Sequence, residues 1–219
     1  MNDAERGRSR MVELLQRQGI SDSGVLDALR RVPRELFVPT VFRPHAHADR
    51  ALPIEAGQTI SQPFIVAYMT ERLELSADHK VLEVGTGSGY QAAVLAMLCR
   101  RVYTMERSRV LLALARRRFE DLGLVDVISR LGDGWRGWSE QAPFDRIIVT
   151  AAAPELPPDL VGQLAENGRM VVPIGPEQGD QTLVLVTRNA GEFAQQRLLP
   201  VRFVPLVSHA RTGRGAAPG

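Results

Sequence analysis

The hydrophobic residues in the first part of the chain follow a helical period that ends before Pro33. Between residues 11 and 29, apolar side chains recur every three or four positions, and turn-forming residues at 19–23 interrupt them. This pattern predicts two short helices ahead of Pro33.

From Pro33 to Ser61 no period is sustained, and the segment contains four prolines. We expect a long connection here, and loops of this length in a compact domain are usually functional or disordered. An apolar stripe returns after Pro63, and the first turn of a helix tolerates proline. The sequence therefore predicts a third helix from Pro63, with Ser61 or Gln62 as its N-cap.

From Lys80 onward, short apolar runs alternate with amphipathic stretches. The runs are typical of strands and occupy residues 80–84, 102–105, 127–131, 146–150, 170–174 and 182–186. The stretches are typical of helices and occupy residues 88–98, 108–122 and 157–166, the second ending at Gly123 and the third before Gly168. Strands and helices that alternate build right-handed crossovers and a parallel sheet covered on both faces. The predicted fold class is α/β, a doubly wound, mostly parallel sheet with an N-terminal extension of helices and loop.

Length and composition suit one compact domain. The chain has 219 residues, of which 44% are hydrophobic, and this is enough for one buried core. We expect residues 1–78 to form the N-terminal helices and an active-site loop, packed on a core of residues 79–210. Residues 211–219 carry no large apolar side chain and are expected to form a disordered tail.

Charge and cysteine content exclude several classes of protein. The formal net charge of +2 is too small for a basic nucleic-acid-binding arm, and we expect the arginines at 116–118 to lie on a solvated helix face. The one cysteine, Cys99, excludes an internal disulfide framework. No cysteine or carboxylate cluster accompanies His45 and His47, so no metal site is expected. The sequence has no apolar stretch of about 18 residues and a charged beginning, which predicts a cytoplasmic protein that does not bind membranes.

A glycine-rich loop follows the first predicted strand. Gly85, Gly87 and Gly89 come directly after Glu83-Val84, and a predicted helix follows them. Glycines at a strand-to-helix turn let the backbone approach an anionic group closely. A phosphate-binding Walker loop would need a Gly-Lys-Ser/Thr ending, and the dinucleotide fingerprint would need glycine where Tyr90 stands. The remaining spacing, E-x-G-x-G-x-G, is that of class I methyltransferases, which bind S-adenosylmethionine, although a merely tight turn is the alternative.

Two further acidic residues strengthen this interpretation. Glu106 ends the second predicted strand, where a carboxylate can accept hydrogen bonds from both ribose hydroxyls. Asp133, between Gly132 and Gly134 after the third strand, is placed to accept a hydrogen bond from the adenine amino group. A solvated strand end and a turn aspartate are the alternatives for these two residues. Because the carboxyl ends of consecutive parallel strands meet in one crevice, we predict that S-adenosylmethionine is the cofactor.

The chain also resembles one family of these enzymes, the protein-L-isoaspartate O-methyltransferases, over residues 11–207. The matching motifs share the family's order along the chain. They are VPR at 32–34, FV at 37–38, ALPI at 51–54, GQTISQP at 57–63, VLEVGTGSGYQ at 81–91, GDG at 132–134, APFD at 142–145, IVTAA at 148–152 and VRFVPL at 201–206. The GQTISQP segment is the most specific of them, because most S-adenosylmethionine-dependent enzymes lack it.

The resemblance implies a Rossmann-like fold and an activity. The expected reaction transfers a methyl group from S-adenosylmethionine to the free α-carboxylate of L-isoaspartyl residues in damaged proteins and peptides, which starts repair through a succinimide. That carboxylate has a pKa of about 3.5 and is already an ionised nucleophile at neutral pH, so no general base is needed. Catalysis is then chiefly positioning.

The resemblance also assigns roles to residues. Ser61 is implied as the catalytic residue that orients the substrate carboxylate, although it could instead cap the helix from Pro63. Residues implied at the substrate are Ser61, Val204, Pro205 and Leu206. Residues predicted at the cofactor, from the loop, the acids and the resemblance together, are Thr59, Ile60, Gln62, Glu83, Gly85, Thr86, Gly87, Ser88, Gly89, Tyr90, Gln91, Glu106, Asp133 and Gly134.

The sequence departs from the family pattern at a few positions and leaves alternatives open. Glu55-Ala56 stand where glycine followed by histidine or glutamine is common, Phe64 where tyrosine is common, and Ala48 where an aromatic residue is common. A methyltransferase acting on another carboxylate or small molecule is one alternative, and a noncatalytic S-adenosylmethionine-binding module is another. Adenine methylation would need an Asp/Asn-Pro-Pro-aromatic motif after the fourth strand, where TAAAP stands at 150–154. We expect a monomer that binds isoaspartyl proteins and no nucleic acid.

Overall fold

The computed structural model describes residues 2–208. In this part of the chain a seven-stranded sheet is flanked by helices, and a two-stranded hairpin lies ahead of it. The helices are α1 Asp3–Arg17, α2 Ser23–Arg31, α3 Pro63–Arg72, α4 Tyr90–Ala96, α5 Arg109–Asp121 and α6 Pro158–Gly162. The strands are β1 Leu52–Pro53, β2 Thr59–Ile60, β3 Lys80–Val84, β4 Arg101–Glu106, β5 Val127–Leu131, β6 Phe144–Val149, β7 Leu164–Ile174, β8 Gln181–Asn189 and β9 Glu192–Val201.

The large sheet confirms the predicted doubly wound architecture. Its strand order is β5-β4-β3-β6-β7-β8-β9, with every pair from β5 to β7 parallel and the pairs β7–β8 and β8–β9 antiparallel. The central strand β3 is covered on both faces, because Val81 and Leu82 are both fully buried although they point to opposite sides. The chain reverses its direction of growth between β3 and β6, and that switch point is where ligands bind in open α/β sheets.

Three element predictions need correction. The first helix begins at Asp3 rather than near Met11, because the Asn2 side chain accepts a hydrogen bond from the Glu5 backbone and Glu5 reciprocates. The helix predicted over 157–166 ends at Gly162, and β7 begins at Leu164. Gly168, which the pattern predicts as the stop of that helix, lies with Asn167 where β7 bulges away from β6.

Strand β9 was missed altogether. Most of its side chains are exposed, and it pairs only with β8 at the edge of the sheet. An edge strand that is not buried shows no hydrophobic alternation, so its existence depends on pairing rather than on pattern.

The N-terminal segment packs on the helices that cover the sheet. One apolar cluster joins Leu15 of α1, Leu29 of α2 and Phe37 to Tyr90 and Val94 of α4. Among residues 2–208, no helix is long and apolar enough to cross a membrane. The predicted tail at 211–219 lies outside the described residues.

Candidate active site

Two neighbouring clefts open where the parallel strands end. The larger has a volume of about 580 Å³, and its walls come from the glycine loop, the ends of β4 and β6, residues 56–61 and residues 204–207. The smaller has a volume of about 440 Å³ and lies between residues 59–62 and residues 200–204. Both volumes lie in the range of small-molecule and peptide side-chain sites.

The glycine loop forms the floor of the larger cleft in a conformation that requires glycine. Gly85 and Gly89 have φ values of 99° and 90°, in the left-handed region. A Cβ on Gly85 would lie 2.3 Å from the Thr150 hydroxyl oxygen, and one on Gly89 would lie 2.8 Å from the Phe119 ring. Both positions therefore need glycine for conformation and for space.

Glu106 lies at the end of β4 and lines the larger cleft, as predicted. Its carboxylate accepts hydrogen bonds from the backbone N–H groups of Gly87 and Ser108, each at 2.9 Å. The side chain is nearly buried, and these two bonds fix its orientation beside the glycine loop. This places an ordered carboxylate in the cleft, which suits a diol ligand such as a ribose.

Glu83 lies beneath the cleft rather than in its wall. It is fully buried, Thr104 donates a hydrogen bond to its Oε2, and the Thr104 and Thr86 hydroxyls are 2.6 Å apart. Burial raises the pKa of Glu83 to about 8, and the nearby Glu106 charge adds to this against the hydrogen bond from Thr104. The carboxyl of Glu83 is consequently protonated at neutral pH. Its Oε1 is buried without a hydrogen-bond partner among the described residues.

The Asp133 side chain is held by two hydrogen bonds next to the larger cleft's Gly132 and Gly134. Its carboxylate accepts hydrogen bonds from the Trp135 backbone at 3.0 Å and from the Ser208 hydroxyl at 2.7 Å. Gly132 and Gly134 line the cleft, whereas Asp133 does not. Its role at an adenine amino group stays a prediction.

Ser61 lies where the two clefts meet. The residues that line both clefts are Thr59, Ser61, Thr150 and Val204. Three of these four carry hydroxyl groups, and the Thr150 hydroxyl is already used, because it donates to the carbonyl oxygens of Val84 and Gly85. Within residues 2–208 the Ser61 hydroxyl has no hydrogen-bond partner, so it remains available to a ligand.

The structure does not support the capping role for Ser61. Gln62 occupies the N-cap position of α3, and its side chain makes no capping hydrogen bond. Asp49 supplies the cap instead, since its Oδ1 accepts from the Phe64 backbone N–H at 2.9 Å. The predicted N-cap position is therefore confirmed at Gln62, but the capping hydrogen bond comes from Asp49 and not from Ser61 or Gln62. The Ser61 hydroxyl consequently has no capping role.

The segment implied at the substrate is pinned to the loop after β6. Ala152 donates to the carbonyl of Val204 at 2.8 Å and accepts from the backbone of Leu206 at 2.7 Å. Pro205 forms an isolated bridge with Ala152. These bonds hold residues 204–206 along the larger cleft, and Val204 also lines the smaller one.

Most of the predicted site residues meet at the larger cleft. Those that line it are Thr59, Ile60, Ser61, Gly85, Thr86, Gly87, Ser88, Tyr90, Gln91, Glu106, Gly134, Val204, Pro205 and Leu206. Those that do not line it are Gln62, Glu83, Gly89 and Asp133, of which Gln62 lines the smaller cleft. Gln91 is also tied to α3, because its amide donates to the Thr70 hydroxyl at 2.9 Å.

Two of the residues that the sequence analysis missed are Thr150, which lines both clefts, and Arg118, which contacts the glycine loop. Thr150 could have been found, because it follows β6, and β6 pairs with β3 directly beside the glycine loop. Arg118 was expected on a solvated face, but it donates to the carbonyls of Ser88 and Leu36 and lies 3.7 Å from the Glu55 carboxylate. It therefore connects the glycine loop with the N-terminal segment, and the expectation was wrong for this arginine.

The geometry fits S-adenosylmethionine. The volume admits a ligand of that size, the glycine loop leaves open a cradle that side chains would fill, and Glu106 presents a carboxylate to it. Among the described residues, no group of three or more histidine, cysteine or acidic side chains is placed to hold a metal ion.

Known proteins match the chain along nearly its whole length. The model of the protein-L-isoaspartate(D-aspartate) O-methyltransferase family matches residues 5–211. A protein-L-isoaspartate O-methyltransferase of Parvibaculum lavamentivorans is 58% identical over 209 residues, which cover 94% of each chain. One from Rhodospirillum centenum is 55% identical over 199 residues, which cover 90% of each chain.

Solved structures agree with these relatives. A protein-L-isoaspartate O-methyltransferase superposes with a TM-score of 0.82 at 31% identity, covering 92% of this chain and 66% of that one. A Plasmodium falciparum structure described as the same enzyme, in complex with S-adenosyl-L-homocysteine, gives a TM-score of 0.81 at 28% identity and covers 94% of this chain and 99% of that one. The chain belongs to the protein-L-isoaspartate(D-aspartate) O-methyltransferase family.

Proposed function

We propose that this chain methylates the free α-carboxylate of L-isoaspartyl residues in damaged proteins and peptides, with S-adenosylmethionine as the methyl donor. The observation that carries the proposal is the position of Ser61, whose unpaired hydroxyl lies at the junction of the cofactor cleft and the second cleft. Family membership supplies the reaction class. The methyl ester then closes to a succinimide, which hydrolyses in part to normal aspartate.

The larger cleft is assigned to the cofactor. The bound cofactor supplies a methyl group activated by a sulfonium. The glycine loop would hold its amino-acid end, and Glu106 would accept hydrogen bonds from the ribose hydroxyls. Glu83, protonated beneath the loop, adds no second negative charge next to Glu106.

The smaller cleft is assigned to the isoaspartyl side of the substrate. An ionised carboxylate needs donors that orient it rather than a base that activates it. Ser61 offers its hydroxyl, and the backbone N–H of Gln62 has no acceptor among the described residues. No histidine lines either cleft within the described part of the chain, which agrees with a reaction that uses no enzyme base.

The activity is tested with a pair of peptides that differ only in the linkage of one aspartyl residue. We expect labelled methyl to pass to the isoaspartyl peptide and at least about 100-fold less efficiently to the aspartyl peptide, because a shift of about 1 Å in the nucleophile costs that much. The product should be an alkali-labile ester. Stable label on an amine, a thiol or nucleic acid would contradict the proposal.

The role of Ser61 is tested by Ser61→Ala in single-turnover assays. Loss of one orienting donor should slow methyl transfer by roughly 10- to 1000-fold. Because the hydroxyl caps no helix, thermal unfolding and cofactor affinity should stay near those of the wild type. A wild-type rate in this variant would remove Ser61 from the catalytic assignment.

Three further points are part of the proposal. We infer that the enzyme acts as a monomer, in the cytoplasm, and on proteins and peptides rather than nucleic acid. The low net charge and the lack of a run of five or more basic residues in the sequence support the third point. Sedimentation analysis of the purified chain tests the first, since a stable dimer would exclude it.

A further inference from the structure

Arg34 is a buried cation that has no role yet in the proposed reaction. Its side chain has no exposed surface, its Nε donates to the Ala46 carbonyl at 2.9 Å, and its Nη2 donates to the Ser61 carbonyl at 2.7 Å. The guanidinium lies 4.7 Å from the centre of the Tyr90 ring, which lines the cofactor cleft. The same cation therefore contacts the Ser61 backbone and a residue of the cofactor cleft.

Asp49 holds the other side of the same segment. Its Oδ1 accepts from the Phe64 backbone, and its Oδ2 accepts from the Gln62 side chain, both at 2.9 Å. Arg34 and Asp49 thus bracket residues 61–64 with a cation on one side and an anion on the other. Neither of these side chains lines either cleft among the described residues.

Stability alone does not explain a charge at position 34. Burying a guanidinium is costly, and Nη1 is buried without a hydrogen-bond partner within residues 2–208. Replacing a complete buried ion pair with apolar side chains of similar volume is often neutral or stabilising, so a buried charge is weak evidence of a purely stabilising role. Burial lowers the pKa of Arg34, against the effects of Tyr90 and Asp49, but arginine stays charged at neutral pH.

We propose that Arg34 and Asp49 are positioning residues that fix the backbone of residues 61–64, so that the Ser61 hydroxyl and the Gln62 N–H stay aimed at the substrate carboxylate. This inference rests on the proposed role of Ser61. The bond from Arg34 also polarises the Ser61–Gln62 peptide unit, whose N–H is one of the two unpaired donors. A charge-assisted bond of this kind is shorter and stronger than a neutral one, which suits a catalysis by positioning.

The test compares Arg34→Met, Arg34→Lys, Asp49→Asn and Ser61→Ala with a matched control, Arg146→Met. Arg146 is a half-buried arginine that, like the fully buried Arg34, donates to backbone carbonyls, those of Leu73, Glu74 and Asn167. It lies near the amino end of β6 and lines neither cleft. For each variant, kcat and KM for an isoaspartyl peptide, cofactor affinity and thermal unfolding are measured.

Arg34→Met should lower kcat by about 10- to 100-fold while cofactor affinity changes less than about threefold. Arg34→Lys should recover part of kcat, because lysine can still donate to one carbonyl. Adding Arg34→Met to Ser61→Ala should lower kcat by less than about threefold beyond Ser61→Ala alone, because a residue that acts through the Ser61 hydroxyl has little left to position once that hydroxyl is removed. Arg146→Met should lower the melting temperature and leave kcat near that of the wild type.

Two outcomes overturn the inference, and they are distinguishable from each other. If Ser61→Ala is slow but Arg34→Met and Asp49→Asn both keep wild-type kcat, Arg34 and Asp49 do not position Ser61, and the proposed function stands. If Ser61→Ala itself keeps wild-type kcat, the role of Ser61 fails, and the positioning role fails with it. Should Arg34→Met not fold, Arg34→Lys and Asp49→Asn decide, because each keeps a polar side chain of similar size.

Discussion

Single side chains in the cofactor cleft do two tasks at once, and Glu106 is the clearest case. It holds the glycine loop through Gly87 while it presents its carboxylate to the cleft. We expect Glu106→Ala to weaken S-adenosylmethionine binding by about 2–3 kcal/mol, the cost of losing hydrogen bonds to a charged group. Isothermal titration calorimetry on the folded variant measures this directly.

The control for Glu106 is Glu140→Ala, which removes an exposed carboxylate that does not line the cleft. Its cofactor affinity should match that of the wild type. Equal affinities for Glu106→Ala and Glu140→Ala would show that Glu106 does not bind the ribose, and would weaken the assignment of the whole cleft.

Glu83 makes the stability of the protein depend on pH. Because its folded pKa is raised from 4.5 to about 8, the folded state binds more protons than the unfolded state between these values. The free energy of unfolding should therefore fall as pH rises through this window, by up to about 1.4 kcal/mol per pH unit from this one group. Urea unfolding of the wild type and Glu83→Gln at pH 5, 6, 7 and 8 isolates the contribution. A difference between the two proteins that does not change with pH would contradict the buried, protonated state.

At the scale of elements, the strands that are buried on both faces of the sheet were the ones that the sequence pattern predicted. Strands β3 and β6 are apolar runs in the centre of the sheet, and both were found from the pattern alone. The exposed edge strand β9 was not, and β7 was mistaken in part for a helix because Leu160 and Leu164 lie at a helical spacing. In both cases the strand is defined by the neighbouring strand with which it pairs, and the local hydrophobic pattern does not contain that information.

The hairpin formed by β1 and β2 is tied to the cofactor cleft by one arginine. Arg118 on α5 contacts Glu55 in the hairpin turn and the carbonyl of Ser88 in the glycine loop. Arg118→Met should lower the free energy of unfolding by about 1–3 kcal/mol, since it removes hydrogen bonds from a charged donor. It should also speed cofactor dissociation, because Ala56 and Gly57 of the freed turn line the cleft.

Arg117→Met is the matched control for Arg118. Arg117 is the next residue on α5, and its side chain is exposed. Stopped-flow dissociation and thermal unfolding of this variant should be close to those of the wild type. If Arg118→Met behaves in the same way, the hairpin is held by other contacts and Arg118 has no part in retaining the cofactor.

For the molecule as a whole, the sequence indicated the residues that line the larger cleft better than the residues that support Ser61. The glycine loop and Glu106 follow strands, and strand ends converge wherever a parallel sheet forms. Arg34 and Asp49 lie in the aperiodic segment between Pro33 and Ser61, where nothing in the spacing indicates which backbone groups they will contact. Such residues are recognised only when the tertiary structure brings them to residues 61–64.

The shared apolar cluster leads us to propose that residues 1–78 and the sheet domain unfold together. Leu29 of α2 is fully buried in the cluster that contains Tyr90 and Val94 of α4, whereas Trp135 and Trp138 both lie in the sheet domain. Leu29→Ala should cost about 2–5 kcal/mol, and it should shift the tryptophan fluorescence transition and the far-ultraviolet circular dichroism transition equally. Leu36→Ala, at a position that is 41% exposed, should shift neither by much. If Leu29→Ala moves the circular dichroism transition and leaves the fluorescence transition in place, the N-terminal segment unfolds on its own, and the loop that carries Ser61 is then held by an independent unit.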